Sequence, residues 1–330
     1  MICELSNEFV RFCLYFEKNI NFNQLQKFFG AYASIKKINY LSSEYDLFVS
    51  FVSPKSGAFS NSANLIDNHI MKHDKNALYV GIENYNLEEI VFIKRLLIDL
   101  INRFFEYKGG LFLHSSSIVD GDKSIVFIGD KGAGKTTTML YLLNDYHLAY
   151  SSNERTGLMQ KNGNIISYGN PARINIRANT LKSNESLKNK IWDCIDHDKY
   201  KIYSEASLSR NCSERLVVHF SDLEEKLGVK IIPTSKLSII CNLIYNNEIS
   251  FKCEKINYLE MKRALEDSVI NCVFPQRTKL NEYFPTQAVD FNSLFDREEI
   301  SYYNIYQDNS INNSSKIYKM LKKEIKDGRN

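Results

Sequence analysis

Residues 129–136 combine the residue types that bind the phosphates of a nucleoside triphosphate. The stretch begins with Gly129, continues through four residues and ends in Gly134-Lys135-Thr136. Glycines let the backbone turn tightly enough for several N–H groups to converge on the β-phosphate. Lys135 would bridge the β- and γ-phosphates, and the Thr136 hydroxyl would bind Mg²⁺. The spacing therefore predicts a site for ATP, with GTP as an alternative, and for Mg²⁺.

The chain around this motif supplies the elements that a phosphate-binding loop needs. "SIVFIG" (124–129) indicates a strand that enters the loop, and "KTTTMLYLLNDY" (135–146) indicates a helix that leaves it. The positive end of that helix dipole favours bound phosphate. The predicted nucleotide-binding residues are Gly129, Asp130, Lys131, Gly132, Ala133, Gly134, Lys135, Thr136 and Thr137. An ordinary glycine turn is the alternative, and the flanking elements weigh against it.

Glu154 is the candidate acidic group for the chemistry. Phosphoryl transfer needs a base for the acceptor hydroxyl, or a positioned water, and a second acidic group for the metal. In most folds with such a loop, that group ends the strand after the loop helix. Here the strand "HLAYSS" (147–152) runs into Asn153-Glu154-Arg155. Glu154 is therefore predicted to contact metal, to act as a base, or both, and a solvated turn carboxylate is the alternative.

Three arginines are candidates for neutralising a transferring phosphate. Arg155 and Arg173 follow Glu154 along the chain, and Arg277 in "FPQRTKL" is a weaker candidate. Surface or ion-pair roles are the alternative for each.

The elements that must position these residues are predicted from periodicity and turn signals. Strands are predicted at 9–16, 46–52, 77–82, 111–119, 124–129, 147–152, 215–220, 237–245 and 249–256. A hairpin over 157–171 would turn at Asn162-Gly163. Helices are predicted over 86–110, from Lys135, over 257–268 and in the basic tail "IYKMLKKEIKDG".

Three segments follow from this pattern: a β-rich N-terminal module over 1–84, an α/β core over 85–300, and a polar linker with a basic C-terminal helix over 301–330. The charges of that helix are predicted to be solvated, and a docking surface for an acidic partner is the alternative.

The composition of the chain limits the classes of protein to which it can belong. The 330 residues include 44% hydrophobic residues, enough for a sizeable core. A net charge of +3 gives no support to a nucleic-acid partner. The seven cysteines are scattered and odd in number, which favours reduced thiols over a disulfide framework or a zinc site. We find neither a signal peptide nor an apolar run near the roughly 20 residues of a membrane helix. The prediction is a cytoplasmic protein without a membrane partner.

The stretch "GGLFLHSSSIVDGDKSIVFIGDKGAGKTTTMLYLL" (109–143) resembles the core of the HPr kinase/phosphorylase-related kinases, a P-loop group similar in structure to phosphoenolpyruvate carboxykinase. That family places a histidine on the strand before the loop strand, as His114 stands here. It ends the strand after the loop helix in an acidic pair or in Asn-Asp, where this chain has Asn153-Glu154. "SYGNPARINIR" (167–177) is similar to a Gly-x-Pro segment of several relatives. The likeness is nearer to members found beside biosynthesis genes than to the HPr enzyme itself.

The resemblance implies a fold and a set of roles. The fold would be α/β, a P-loop core like that of HPr kinase and phosphoenolpyruvate carboxykinase with a mixed β-sheet, preceded by a small β-rich N-terminal domain. His114 would lie near the γ-phosphate or orient the acidic residue, and a buried structural histidine is the alternative. Glu154 replaces the usual Asp with a side chain one methylene longer. The predicted catalytic residues are Glu154, His114 and Lys135, and the predicted metal ligands are Thr136 and Glu154.

The function that the resemblance implies is a kinase. It would transfer the γ-phosphate of ATP to a hydroxyl of a peptide, a protein or a small molecule, with Mg²⁺. The alternatives are a nucleotide-binding regulatory protein with little or no transfer, supported by Asn153-Glu154 in place of two aspartates, and an ATPase. A homo-oligomer is an open alternative to a monomer.

Overall fold

The computed structural model describes residues 1–39, 44–59, 63–66, 68–170, 173–195, 215–246, 250–270, 279–286, 288–307 and 313–327. The chain forms two units. Unit 1 comprises Met1–Gly110 and Asn271–Ala288, and unit 2 comprises Leu111–Ile270 and Val289–Asn330. This division differs from the sequence-based boundary between residues 84 and 85, because it keeps the helix after residue 86 with the N-terminal sheet.

Unit 1 contains a mixed seven-stranded sheet. Its strands are β1 (Ile2–Ser6), β2 (Arg11–Phe16), β3 (Ser34–Lys37), β4 (Leu47–Val52), β5 (Asn64–Ile66), β6 (His69–Asp74) and β7 (Ala77–Gly81). They lie in the order β3-β1-β2-β4-β7-β6-β5, and β4 is parallel to both β2 and β7. These seven strands lie within the region that the sequence predicted to be β-rich. The sequence analysis missed a helix there, α1 (Phe22–Phe29), which Asn21 caps by accepting from the backbone N–H of Gln24.

The long helix of unit 1 is α2 (Leu87–Tyr107), close to the predicted span of 86–110. It begins at Asn86, whose side chain accepts from the backbone N–H of Glu89. Its apolar residues recur at helical spacing, which gives one continuous buried face. The chain of unit 1 resumes in a short helix, α8 (Lys279–Tyr283), whose neighbour Phe284 accepts a hydrogen bond from Arg103 Nε at 2.6 Å.

Unit 2 is built on a mixed ten-stranded sheet and a separate strand pair. Its strands are β8 (Leu111–Leu113), β9 (Ser116–Asp120), β10 (Lys123–Ile128), β11 (Ala149–Ser152), β12 (Thr156–Lys161), β13 (Asn164–Gly169), β14 (Ile174–Arg177), β15 (Arg215–Val218), β16 (Thr234–Tyr245), β17 (Lys252–Ile256), β18 (Val269–Ile270) and β19 (Ser301–Gln307). The strand order is β11-β9-β10-β16-β13-β12-β8-β18. β19 pairs with β16 in parallel and with β17 antiparallel, while β14 and β15 form the separate pair.

Two strands at the centre of unit 2 organise the site described below. β10 lies between β9, which is antiparallel to it, and β16, which is parallel to it. β16 runs for 12 residues and pairs with β13 near its start and with β19 over the remainder. Both central strands are rich in buried Ile, Val and Leu, as expected for strands covered on both faces.

Helices cover the sheet of unit 2. They are α3 (Lys135–Tyr146), α4 (Ala178–Lys182), α5 (Glu185–Ile191), α6 (Phe220–Leu227), α7 (Tyr258–Ser268), α9 (Phe291–Phe295) and α10 (Asn313–Asp327). α7 and α9 contribute Met261, Leu265 and Phe295 to a core that includes Val126, Ile128 and Ile240 of the sheet. Within the described parts of the chain, each helix is too short or too polar to span a lipid bilayer.

Several predicted elements appear where the sequence placed them. The loop helix has the predicted bounds of 135–146, and the hairpin turns at Asn162-Gly163, both with positive φ as a two-residue turn requires. The predicted strand over 111–119 is wrong as a continuous element, since His114 and Ser115 interrupt it between β8 and β9. The strand predicted over 215–220 ends at Val218, because His219 caps α6 with a reciprocal capping box.

The C-terminal segment also differs from the sequence analysis. Residues 301–307 are not linker but the strand β19, which pairs with central strand β16. Residues 308–312 of the predicted linker lie outside the described residues. The basic helix α10 buries Ile317, Leu321 and Ile325, and Lys322 pairs with Asp120 at 2.6 Å.

The cysteines that the structure describes, Cys3, Cys13, Cys194, Cys241 and Cys253, are free thiols. Cys212 and Cys272 lie outside the described residues. Among the described residues, no group of three His, Cys, Asp or Glu side chains has the arrangement of a metal site.

Candidate functional site

The glycine loop (residues 129–134) joins the end of β10 to the start of α3. Gly129, Gly132 and Gly134 have φ values of 132°, 99° and 95°, a region that residues with a Cβ atom rarely adopt. A Cβ atom at Gly129 would lie 2.3 Å from the backbone oxygen of Leu243, which has little freedom to move within β16. The close approach of β16 therefore requires a glycine at position 129, where the chain turns into the loop.

The last residue of β19 supports the other end of the loop. Gln307 is buried, and its Nε2 donates to the carbonyl oxygen of Ala133. A Cβ atom at Gly134 would lie 2.6 Å from the same nitrogen. Sequence reasoning missed Gln307, because nothing local connects it to a loop more than 170 residues away. The strand pairing of β19 with β16 brings it there.

Lys135 is held inside the loop. The residue is 9% exposed, and its Nζ donates to the carbonyl oxygens of Gly129 at 2.6 Å and Asp130 at 3.2 Å. Burial lowers the pKa of Lys135 from its ordinary value, and the negative charges of Glu154 and Asp130 act in the opposite direction. A buried ammonium with only carbonyl partners is stabilised strongly by any anion that reaches the loop.

Thr136 contacts a residue at the end of the next strand. Its hydroxyl donates to Asn153 Oδ1 at 3.0 Å, and Asn153 is 1% exposed. The Nδ2 atom of Asn153 is buried and has no hydrogen-bond partner among the described residues. A buried donor without an acceptor is costly, so this amide is suited to an oxygen of a ligand or of its hydration shell. The sequence analysis noted Asn153 beside Glu154 but did not place it in the site.

His114 and Glu154 lie together at the edge of the site. His114 occupies the break between β8 and β9, and its backbone N–H donates to the carbonyl oxygen of Ser268 at 2.7 Å. Its Nδ1 lies 3.1 Å from the carbonyl oxygen of Glu154 and 3.6 Å from Glu154 Oε2. Because a carbonyl oxygen only accepts, Nδ1 carries the proton in this arrangement. The His114 side chain is 39% exposed, which contradicts the alternative of a buried structural histidine.

Glu154 itself has an unusual backbone. Its φ of 71° places a residue with a long side chain in the left-handed region. Two contacts fix the turn: the Ser152 hydroxyl donates to the carbonyl oxygen of Arg155, and His114 Nδ1 donates to that of Glu154. Strained residues of this kind cluster at functional sites, where surrounding contacts hold them.

A cavity of about 300 Å³ brings these residues together. It is lined by His114, Ser115, Lys131, Gly132, Gly134, Lys135, Thr136, Thr137, Asn153, Glu154, Asn175, Arg177, Thr180 and Arg215. Of the predicted site residues, Gly129, Asp130 and Ala133 form the loop without lining the cavity. Arg155 and Arg173 are not among the lining residues either, and Arg277 lies outside the described residues.

The strand pair of β14 and β15 forms a wall of the cavity that the sequence analysis did not predict. Ile174 and Ile176 of β14 are buried, so Asn175 and Arg177 lie on the opposite face. Arg177 is the register partner of Arg215 on β15. The alternation in "RINIR" was a usable signal for Asn175 and Arg177, whereas Arg215 is placed only by the pairing of the two strands.

The residues present fit a magnesium nucleotide. Cβ atoms at Gly129 and Gly134 of the loop would clash with neighbouring atoms. Among the described residues, Lys135 has no anionic partner in direct contact, and Asn153 Nδ2 is a buried donor without an acceptor. The Thr136 hydroxyl and the Glu154 carboxylate are oxygen ligands of the kind that Mg²⁺ prefers. The cavity volume is at the lower end of the range, about 300–1,000 Å³, that is usual for small-molecule sites.

Comparisons with known proteins give a limited result. No protein-family model matches the sequence, and no curated protein matches it at a significant level. Solved structures do match, among them that of the HPr(Ser) kinase/phosphatase from Coxiella burnetii, with a TM-score of 0.33 and 9% sequence identity over 66% of this chain and 99% of that chain.

Proposed function

We propose that this protein is an ATP-dependent kinase that transfers the γ-phosphate to a hydroxyl of a peptide, a protein or a small molecule, with Mg²⁺. The observation that carries the proposal is that one cavity is lined by residues of the glycine loop, by Lys135 and Thr136, and by the paired His114 and Glu154. GTP is the alternative nucleotide.

The nucleotide phosphates would bind against the glycine loop. The first turn of α3 and the loop supply backbone N–H donors, and the helix dipole favours negative charge there. Lys135 would exchange its two carbonyl partners for phosphate oxygens, which are stronger acceptors for an ammonium. Mg²⁺, held by Thr136 and Glu154, would neutralise charge that develops on the phosphates.

The acceptor hydroxyl would be activated by Glu154. In the transfer step the acceptor oxygen forms a bond to the γ-phosphorus, the bond from that phosphorus to the β–γ bridging oxygen breaks, and ADP leaves. The hydroxyl proton passes to the Glu154 carboxylate. His114 holds the backbone of Glu154 through its Nδ1–H, so its role is to position the base.

A regulatory nucleotide-binding protein is the second candidate, and the pair of Thr136 and Asn153 favours it. Asn153 presents a neutral amide to the Thr136 hydroxyl. Glu154 is the one carboxylate among the residues that line the cavity. A metal ion with so few charged ligands binds more weakly, and weak metal binding favours slow turnover of the nucleotide.

The experiment that tests the proposal compares Glu154→Gln with the wild-type protein. Purified protein is mixed with Mg-ATP and a panel of hydroxyl-bearing peptides and metabolites, and phosphoester formation is followed by ³¹P NMR. We expect Glu154→Gln to bind ATP nearly as well as wild type and to lose transfer by at least about 100-fold, the usual contribution of a general base. Glu225→Gln, on an exposed side chain of α6, is the matched control and should keep full transfer.

The other outcomes separate the alternatives. ATP binding without any phosphoester or ADP formation would replace the kinase by the regulatory protein. ADP formation without an acceptor, unchanged in the presence of the panel, would indicate an ATPase. Lys135→Ala should weaken nucleotide binding in all cases, because each one depends on the loop.

A further inference from the structure

Two arginines face each other across the strand pair that walls the cavity. Arg177 on β14 and Arg215 on β15 are direct register partners, and both are exposed and line the cavity. Side chains directly opposite on an antiparallel pair lie on the same face, with Cβ atoms about 4.5–5.5 Å apart. Like charges in such positions are destabilising. An anion between the two guanidinium groups removes that cost.

Neither arginine has an ion-pair partner within the described residues. Other arginines of the chain do: Arg11 contacts Glu4 at 2.8 Å, and Arg103 contacts Glu106 at 2.9 Å. The described residues that line the cavity carry four cationic side chains, Lys131, Lys135, Arg177 and Arg215, and one carboxylate, Glu154. The cavity lining therefore carries more positive charge than the lysines of the loop and its helix supply.

The arginine pair lies beside the glycine loop. Arg177 Nη2 is 3.8 Å from the position that a Cβ atom would take at Gly132. An anion held by the pair would therefore lie next to the nucleotide phosphates. It would remain distinct from them, because the loop amides, Lys135 and the α3 terminus already provide the donors that those phosphates need.

We propose that Arg177 and Arg215 bind a compact anionic group of the acceptor, so that the acceptor carries a phosphate or a carboxylate in addition to its hydroxyl. This inference rests on the proposed kinase function and specifies its substrate class. The planar fork of an arginine binds the oxygens of either anion in pairs, which orients the acceptor as well as attracting it. Orientation of this kind is what a hydroxyl needs to meet both Glu154 and the γ-phosphorus.

The test uses the full-length protein saturated with Mg²⁺ and a non-hydrolysable ATP analogue, so that the γ-phosphate position is filled. Inorganic phosphate is then titrated, and its binding is followed from the ³¹P line width of the phosphate signal. A parallel titration with acetate, followed by competition with phosphate, separates a phosphate-bearing acceptor from a carboxylate-bearing one. The variants are Arg177→Gln, Arg215→Gln and the charge-conserving Arg177→Lys, with Arg263→Gln on a 93% exposed side chain of α7 as the matched control.

We expect phosphate or acetate to bind the wild-type complex and the Arg263→Gln complex equally. Either glutamine variant should weaken that binding at least about tenfold, since each removes charge-assisted hydrogen bonds. Arg177→Lys should recover part of the loss. Affinity for the analogue should change much less than affinity for the added anion.

Three results would overturn the inference. The wild-type complex fails to bind either anion, the anion binds equally to the glutamine variants, or those variants lose the analogue as strongly as they lose the anion. In the last case the two arginines bind the nucleotide and not the acceptor. Failure of the wild-type protein to bind the analogue at all is a different result, because it contradicts the proposed function itself.

Discussion

Asn153 and Glu154 have different surroundings although they are adjacent in the chain. Asn153 is enclosed and orients the Thr136 hydroxyl, whereas Glu154 is partly exposed and reaches the cavity with its carboxylate. The two side chains are neighbours in sequence, but the left-handed φ of Glu154 separates their directions. The turn thus directs one side chain to the loop helix and the other to the cavity.

The backbone of Glu154 leads to a prediction about stability. Replacement by Gly removes the steric cost of a Cβ atom at positive φ, while replacement by Ala keeps that cost, and both remove the same partly exposed side chain. We expect Glu154→Gly to be more stable than Glu154→Ala by about 1 kcal/mol, measured by urea unfolding. At Glu225, in the middle of α6, the order should reverse because Gly weakens a helix. Equal stability of the two variants at residue 154 would show that the turn carries no strain.

The types and spacing of residues predicted those site residues that lie near the glycine loop in the sequence. Lys135, Thr136 and Glu154 follow from a motif and its flanking elements, whereas His114 follows from the family resemblance, and all four line the cavity. Whether they perform the predicted chemistry stays a prediction. Arg215 and Gln307 could not be found in this way, because a long-range strand pairing brings each of them to the loop.

At the scale of elements, one acidic side chain of α10 contacts two strands of the sheet. Glu324 accepts from Lys255 on β17 at 2.6 Å, from Ser301 on β19 at 2.5 Å, and from the Tyr303 hydroxyl. Burial acts to raise the pKa of Glu324, but these hydrogen bonds outweigh it and lower the pKa from 4.5 to about 2. The ionised carboxylate therefore stabilises the contact between the helix and two strands.

This contact predicts a pH-dependent effect. A carboxyl group with a lowered pKa contributes stability above its unfolded pKa, and the contribution is lost as pH falls from about 4.5 towards 2. We expect Glu324→Gln to lower the free energy of unfolding by about 2 kcal/mol at pH 7 and by progressively less below pH 4.5. Urea unfolding across this range measures the difference, with exposed Glu298→Gln as the control. A difference that stays constant down to pH 3 would contradict the assignment.

Helices and strands could be predicted where a local sequence pattern determines their bounds. The bounds of α3 follow from the glycine that precedes it and the apolar run within it. The helix α1 was missed because its short amphipathic pattern lies within a β-rich region. The break at His114 was missed because "LFLHSSSIV" has strand-like composition throughout, and the change of partner from β12 to β10 causes the interruption. Register between distant strands depends on tertiary contacts that no local window contains.

At the scale of the whole molecule, the described residues that line the cavity all belong to unit 2. Nucleotide binding should therefore stabilise unit 2 directly. In hydrogen-exchange mass spectrometry with Mg²⁺ and a non-hydrolysable ATP analogue, we expect slower exchange at residues 129–137 and around Asn153, and unchanged exchange in β1 to β7. Lys135→Ala should abolish the protection. Protection of the unit 1 sheet in the wild-type protein would show that the units respond together.

The path of the chain through the two units bears on how the protein is made. Unit 1 includes residues after Asn271, and the loop of unit 2 is supported by Gln307 of β19. Domains usually fold in order as they leave the ribosome. Here the strands of unit 1 emerge first, the remaining residues of unit 1 follow most of unit 2, and the glycine loop emerges well before the strand that carries Gln307. We therefore expect unit 1 to stay open to chaperones and proteases until residue 288 has been translated, and the glycine loop until residue 307 has been translated.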